Sequence, residues 1–219
     1  MKSRVLYGVM GIALVALFIG GGTYAYFSDT ETSEGNVFSA GTLNLTVESD
    51  GTLPFAFDNL KPGDMGVLAD PWRINNTGTI AGNLTITCGK IINNENGLTE
   101  PEESVDSTGG VLEGELGVNL TVAFWVDSNA DNTWNAGDYC LYANGDKVDY
   151  NSGDALPDDA FTPLNEYSEK SWANLATIAA GETAGTFHVE YDLPWETGNE
   201  VQSDTCTFDL IFKLEQART

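Results

Sequence analysis

The chain is short of positive charge and almost without histidine. Nine Lys and Arg stand against 33 Asp and Glu in 219 residues, a net charge of −24, and His188 is the one histidine. So few cations exclude a nucleic-acid partner, because holding backbone phosphates takes clustered Lys and Arg. A single histidine excludes the H-E-x-x-H pair of a zinc peptidase, and no G-x-S-x-G elbow offers a serine nucleophile. His188 alternates outward on a strand pattern and reads as an ordinary surface residue. The three cysteines show no C-x-x-C spacing, so neither a zinc nor a thioredoxin reading fits. There is no internal repeat, and no enzyme is expected.

Charge is also missing from residues 5–22, which follow the basic Lys2 and Arg4. A basic start, an apolar run centred on residues 12–19 and three helix-weakening glycines at 20–22 form the pattern of a secretory leader. Thr23-Tyr24-Ala25 places small residues at −3 and −1 of a cut after Ala25, so residues 1–25 are expected to be a cleaved signal helix. An uncleaved anchor is the other reading, since the run is close to the shortest span. Cleavage removes two cations and no acid, leaving seven basic against 33 acidic side chains, a balance of −26. Copies of such a chain repel one another at low salt.

What is present is β pattern. Hydrophobic residues make up 42% of the chain and aromatics 11%, which argues against wholesale disorder. Leu43, Leu45 and Val47 share one phase; so do Leu84, Ile86 and Cys88; so do Val118, Leu120, Val122, Phe124 and Val126. The same alternation returns at Phe187, Val189, Tyr191 and Leu193, and at Cys206, Phe208, Leu210, Phe212 and Leu214. Turn residues separate these runs, at Lys61-Pro62-Gly63-Asp64 and at Asn75-Asn76-Thr77-Gly78. Residues 91–110 read as an acidic exposed loop or short helix, and residues 164–177 as a short helix. The sum is an all-β sandwich with loop and short-helix insertions: one domain over 41–219, with an inserted middle region about 91–181.

The start GGGTYAYFSDTET, followed by NVFSAGTLNLTV, resembles the TasA/camelysin-like family. The 60–64 and 75–79 turns and the C-terminal stretch from Gly198 to Gln216 match it as well, whereas the middle is only loosely covered. The family includes the biofilm fibre subunit TasA and similar archaeal bundling-pilus subunits. The resemblance implies a jelly roll and a structural role in an extracellular filament or pilus of the biofilm matrix. It also implies assembly by donor-strand exchange. Residues 26–40 would then be the donor segment, with Tyr26, Phe27, Val37 and Phe38 as apolar anchors. The partner would be a head-to-tail homopolymer that can bundle with its neighbours. A disordered tail or a self-complementing edge strand is the plainer reading of that segment. A monomeric secreted calcium-dependent adhesin or carbohydrate-binding module, with Trp125, Trp134, Trp172 and Trp195 as stacking faces, is the alternative function.

Three further sets of residues carry expectations. Asp127, Asn129, Asp131, Thr133 and Asp138 stand at positions 1, 3, 5, 7 and 12 of a calcium-loop spacing, on what reads as a hairpin. Asn132 occupies the usual glycine position and Asp138 the usual glutamate position, and an acidic turn without Ca2+ fits the spacing too. Cys88 and Cys206 share an inward phase and are the expected disulfide, with Cys140 odd; three buried thiols are the other reading. The N-x-T sequons at Asn44, Asn75, Asn83 and Asn119 are glycosylation candidates, although an Asn- and Thr-rich chain produces some by chance.

Overall fold

A computed structural model describes residues 28–32, 43–49, 56–57, 59–68, 70–98, 100, 102–110, 112–151 and 155–216. The leader, its cut at Ala25 and the anchors Tyr26, Phe27, Val37 and Phe38 lie outside the described residues. No described helix is long and apolar enough to cross a membrane.

Fifteen strands form the regular structure of the described backbone. They are β1 (Ser28–Thr32), β2 (Leu45–Glu48), β3 (Met65–Val67), β4 (Trp72–Asn76), β5 (Gly82–Cys88), β6 (Ile92–Asn94), β7 (Thr121–Asp127) and β8 (Tyr139–Leu141). There follow β9 (Lys147–Asp149), β10 (Thr162–Pro163), β11 (Ser171–Trp172), β12 (Thr177–Ile178), β13 (Thr183–Asp192), β14 (Thr205–Thr207) and β15 (Leu210–Gln216). One short helix, α1 (Leu116–Asn119), precedes β7.

The strands form an all-β sandwich. One sheet runs β1-β15-β5-β11, with β12 also on β5; the larger runs β2-β4-β13-β7-β8-β9, with β3 on β13 and β10 on β7. All pairings are antiparallel, and a third ladder joins β14 to β6. Alternation sets the inner faces. Leu84, Ile86 and Cys88 of β5 and Leu210, Phe212 and Leu214 of β15 are buried, opposite Trp72, Ile74, Phe124, Phe187 and Val189 of the larger sheet. Phe212 bridges the two layers: its ring centroid lies 5.5 Å from Phe187, edge-on, and 5.9 Å from Trp72.

Two turns are fixed chemically. In Lys61-Pro62-Gly63-Asp64, Pro precedes a glycine at φ +88°, the requirement of a type II turn. Asp64 braces it by accepting from the Lys61 N–H at 3.0 Å and pairing with Lys61 Nζ at 3.1 Å. At the second turn Asn76 is fully buried. Its amide donates to the Ile80 and Ile178 carbonyls and its oxygen accepts from Gly78 N–H, tying the turn to β12.

Three local expectations are corrected. Val118 and Asn119 belong to α1, and Val118 is exposed; the strand starts at Thr121. Residues 164–177 are a 3-10 turn followed by the short strands β11 and β12, because β5 offers them backbone partners. The 91–110 stretch is not simply an exposed loop: β6 pairs with β14, and Glu95 and Glu102 are buried.

Truncating Phe212 to Ala removes the ring that touches both layers and should cost ~3–5 kcal/mol. Thr85→Ala, on the outer phase of β5, should stay within about 0.5 kcal/mol. Chemical denaturation of the two variants checks the layer assignment.

Candidate functional site

Beside β5 and β15 the smaller sheet carries a strand from the far end of the chain. β1 pairs with β15 from Ser28↔Glu215 to Thr32↔Ile211. Its sequence, SDTET, has no apolar residue, and a backbone ladder ties it to the sheet. The part of the donor segment that is described is thus an edge strand of its own subunit. Residues 33–42, between β1 and Leu43, lie outside the described residues.

The 127–138 loop joins β7 to β8, a hairpin as the spacing required. Asp127 and Asp138 are fully buried and brace the backbone. Asp127 accepts from the N–H groups of Asn129, Ala130 and Asn132 at 3.1, 2.7 and 2.6 Å. Asp138 accepts from Ser128 and Asn135 N–H at 2.8 and 2.7 Å, and burial pushes its carboxyl above the usual carboxylate range. Asp131 accepts from Thr133 N–H and from the amides of Asn129 and Asn135. Asn132 sits at φ +60°. Asp127 Oδ1 and Asp131 Oδ2 each accept two of these bonds, and among the described residues no three acidic groups of this loop come within 4.8 Å of one another.

Next to this loop the outer face of the larger sheet is covered. Ala123, Trp125, Cys140 and Ala160 form a second buried cluster under Trp134, Tyr142, Leu156 and Phe161. His188 is therefore not a surface residue. It is 5% exposed, stacked on Trp125 at 4.0 Å and 16°, with Nε2 3.0 Å from Thr186 Oγ1 and 3.8 Å from Asp127 Oδ2. Burial pushes the imidazole down to about 4 and Asp127 opposes the shift. A cleft of about 360 Å³ opens beside it, with Arg73, Trp125 and Glu190 on its walls. The tryptophans share no exposed stacking face: Trp125 and Trp172 are buried, Trp134 packs edge-on against Trp125, and Trp195 is exposed elsewhere.

The cysteines are free thiols, so the expected Cys88–Cys206 bond is not formed. Cys88 lies opposite Leu210 in the main sheet, whereas Cys206 lies opposite Asn93 in the β14–β6 ladder and its thiol donates to Asn93 Oδ1 at 2.6 Å. Burial pushes all three thiols, Cys140 included, up to about 12, away from reactive thiolates. The sequon asparagines are half-buried. Asn75 and Asn83 accept from Thr183 and Thr177 hydroxyls at 2.7 Å, and Asn119 donates from the end of α1 to the Glu115 carbonyl. Asn44 precedes β2.

The model of the camelysin metallo-endopeptidase family matches residues 1–218. The chain belongs to this family. Over 81 residues it is also 35% identical to the major biofilm matrix component of Bacillus subtilis (strain 168). That match takes in 37% of this chain and spans 30% of the length of the relative. The family's name implies a catalytic metal, and the residues present do not fit a zinc peptidase centre. Such centres use histidine ligands around an open coordination position. In this camelysin-family chain the lone imidazole is stacked under cover and joins no grouping of three metal-binding side chains among the described residues.

His188 yields a pH test. Its folded value lies below the ordinary 6.5, so the unfolded chain takes up the proton first and stability is lost as pH falls from 6.5 towards 4. Relative to His188→Gln, the wild type should lose on the order of 3 kcal/mol across that window. Paired urea titrations at pH 7.5 and 4.5 measure it, and a pH-independent difference would contradict the buried neutral imidazole.

Proposed function

We propose that this protein is a secreted structural subunit of an extracellular filament of the biofilm matrix. Its leader is removed after Ala25, and it polymerises head to tail by passing its N-terminal segment to the next subunit. The observation that carries the reading is β1, a polar edge strand paired with β15 alone in its sheet. The name of the Bacillus subtilis relative, a major biofilm matrix component, points the same way.

Exchange is chemically simple. A copy of β1 from a neighbour can form the same ladder in the same register, because the pairing with β15 is backbone to backbone. Donation between copies is heterologous, so it does not close and builds a fibre. The apolar anchors Tyr26, Phe27, Val37 and Phe38 flank the strand in sequence and would add the burial that SDTET cannot. Calcium at the 127–138 loop fits as a brace of the β7–β8 turn, with Asn129, Asp131 and Thr133 on its exposed side.

Deleting residues 26–40 should leave a folded protein that no longer forms fibres in electron micrographs. Thr30→Pro, which removes an N–H and stiffens β1, should shorten or abolish them. Fibres of normal length from the deleted protein would sink the exchange mechanism.

A further inference from the structure

Five acidic side chains from separate segments converge at one end of the β14–β6 ladder. Glu95 follows β6, Glu102 and Asp106 come from the acidic insertion, Glu115 precedes α1 and Asp204 precedes β14. Side-chain oxygens of Glu95, Asp106 and Glu115 lie within 4.8 Å of one another, as do those of Glu95, Glu102 and Asp204. Two oxygens that share one calcium ion, each at about 2.4 Å, stand at most about 4.8 Å apart.

Hydrogen bonding shows how the acids are aimed. Asp204 Oδ2 accepts from the N–H groups of Glu115 and Leu116 at 2.6 and 2.9 Å, while Oδ1 is buried with no donor. Glu115 Oε1 accepts from Thr108 Oγ1 at 3.0 Å, while Oε2 is buried with no donor. The Thr108 backbone N–H donates to Asp106 Oδ1 at 3.0 Å, and Ser203 donates to Glu102 Oε2 at 3.2 Å. Glu95 is the centre. It is 6% exposed, and neither of its oxygens has an N–H or O–H donor, its neighbours being other carboxylates. Gly114 belongs to the cradle as well: a Cβ there would lie 3.0 Å from Asp204 Oδ1 and 2.9 Å from the Asn94 carbonyl carbon.

Burying carboxylates together without donors or cations is costly. Neither grouping contains a histidine, and the ion pairs seen among the described residues, at Asp64, Asp149, Asp127 and Glu215, involve none of the five acids. The donor set is all oxygen and all anionic, which suits a hard cation, and five carboxylates from separate segments suit calcium, which takes six to eight oxygens, over the stricter octahedral demands of magnesium.

We propose that Glu95, Glu102, Asp106, Glu115 and Asp204 form a calcium-binding site that ties the acidic insertion to the β14 strand. The site is distinct from the 127–138 loop and does not depend on the filament reading. Calcium neutralises part of the local charge and fixes the insertion against the sandwich, so it acts as a structural clasp.

The test uses the purified full chain stripped with EGTA. Titrating calcium chloride should release heat and raise the unfolding midpoint by roughly 5–10 °C at saturation. Glu95→Gln is isosteric and removes a buried like charge. Its calcium-free midpoint should equal or exceed that of the wild type, while its calcium-induced shift should fall to less than a third. Asp127→Asn should keep the shift. No binding heat in the wild type would overturn the site, as would a shift that survives Glu95→Gln and vanishes in Asp127→Asn. Filament formation is not read in this assay, so its outcome is separable from that of the assembly reading.

Discussion

The outer edge of β15 is the constraint on which the rest depends. One side of this strand is bonded to β5 along its whole length, and alternate side chains, Leu210, Phe212 and Leu214, are buried in the core. The other side presents a row of backbone donors and acceptors that must find partners. An open edge on a stable sheet is an invitation to uncontrolled pairing. In this chain the partner is β1, which contributes a ladder and no apolar side chain of its own. A strand held that way is replaceable by an identical strand, which is the basis of the exchange between copies proposed above.

The middle of the chain serves the larger sheet. Its outer face would be solvated in a minimal sandwich, yet here Ala123, Trp125 and Cys140 are buried under Trp134, Tyr142, Leu156 and Phe161. That cover gives β7 two buried faces and leaves His188 neutral between Trp125 and Asp127. It also brings a strongly acidic chain into tight folds. Asp127 and Asp138 meet that difficulty with backbone N–H donors. Glu95 has no such donor, and there the proposed calcium ion supplies the counter-charge. At a net charge of −24, any cation retained by the fold also eases the approach of a second copy.

Much of the sandwich was legible because alternation survives wherever one face is buried. β5, β13 and β15 follow the phases of Leu84, Val189 and Phe212, and the Lys61–Asp64 turn follows from proline and glycine. The failures have physical causes. Trp125 and His188 lie on the polar phase, and only tertiary cover from a later segment buries them. The helix read over 164–177 gave way to β11 and β12 because β5 had free backbone positions that local periodicity does not register. Asn76 looked like a turn residue and proved to be a buried staple. The acids around Glu95 come from three stretches with no common spacing, so no motif announces them. The Asp127 spacing, in contrast, is a conspicuous motif whose carboxylates are largely spent on their own loop.

Strand exchange between copies can be measured through the β1–β15 register. Thr30 is paired with Lys213. Thr30→Cys and Lys213→Cys, each in a Cys206→Ser background, would be placed in separate chains, mixed, assembled and oxidised. The account predicts disulfide-linked dimers that require both chains and appear only under assembly conditions. If the two cysteines join only when carried by one chain, and never between chains in assembled material, β1 is a permanent part of its own subunit and the account is wrong.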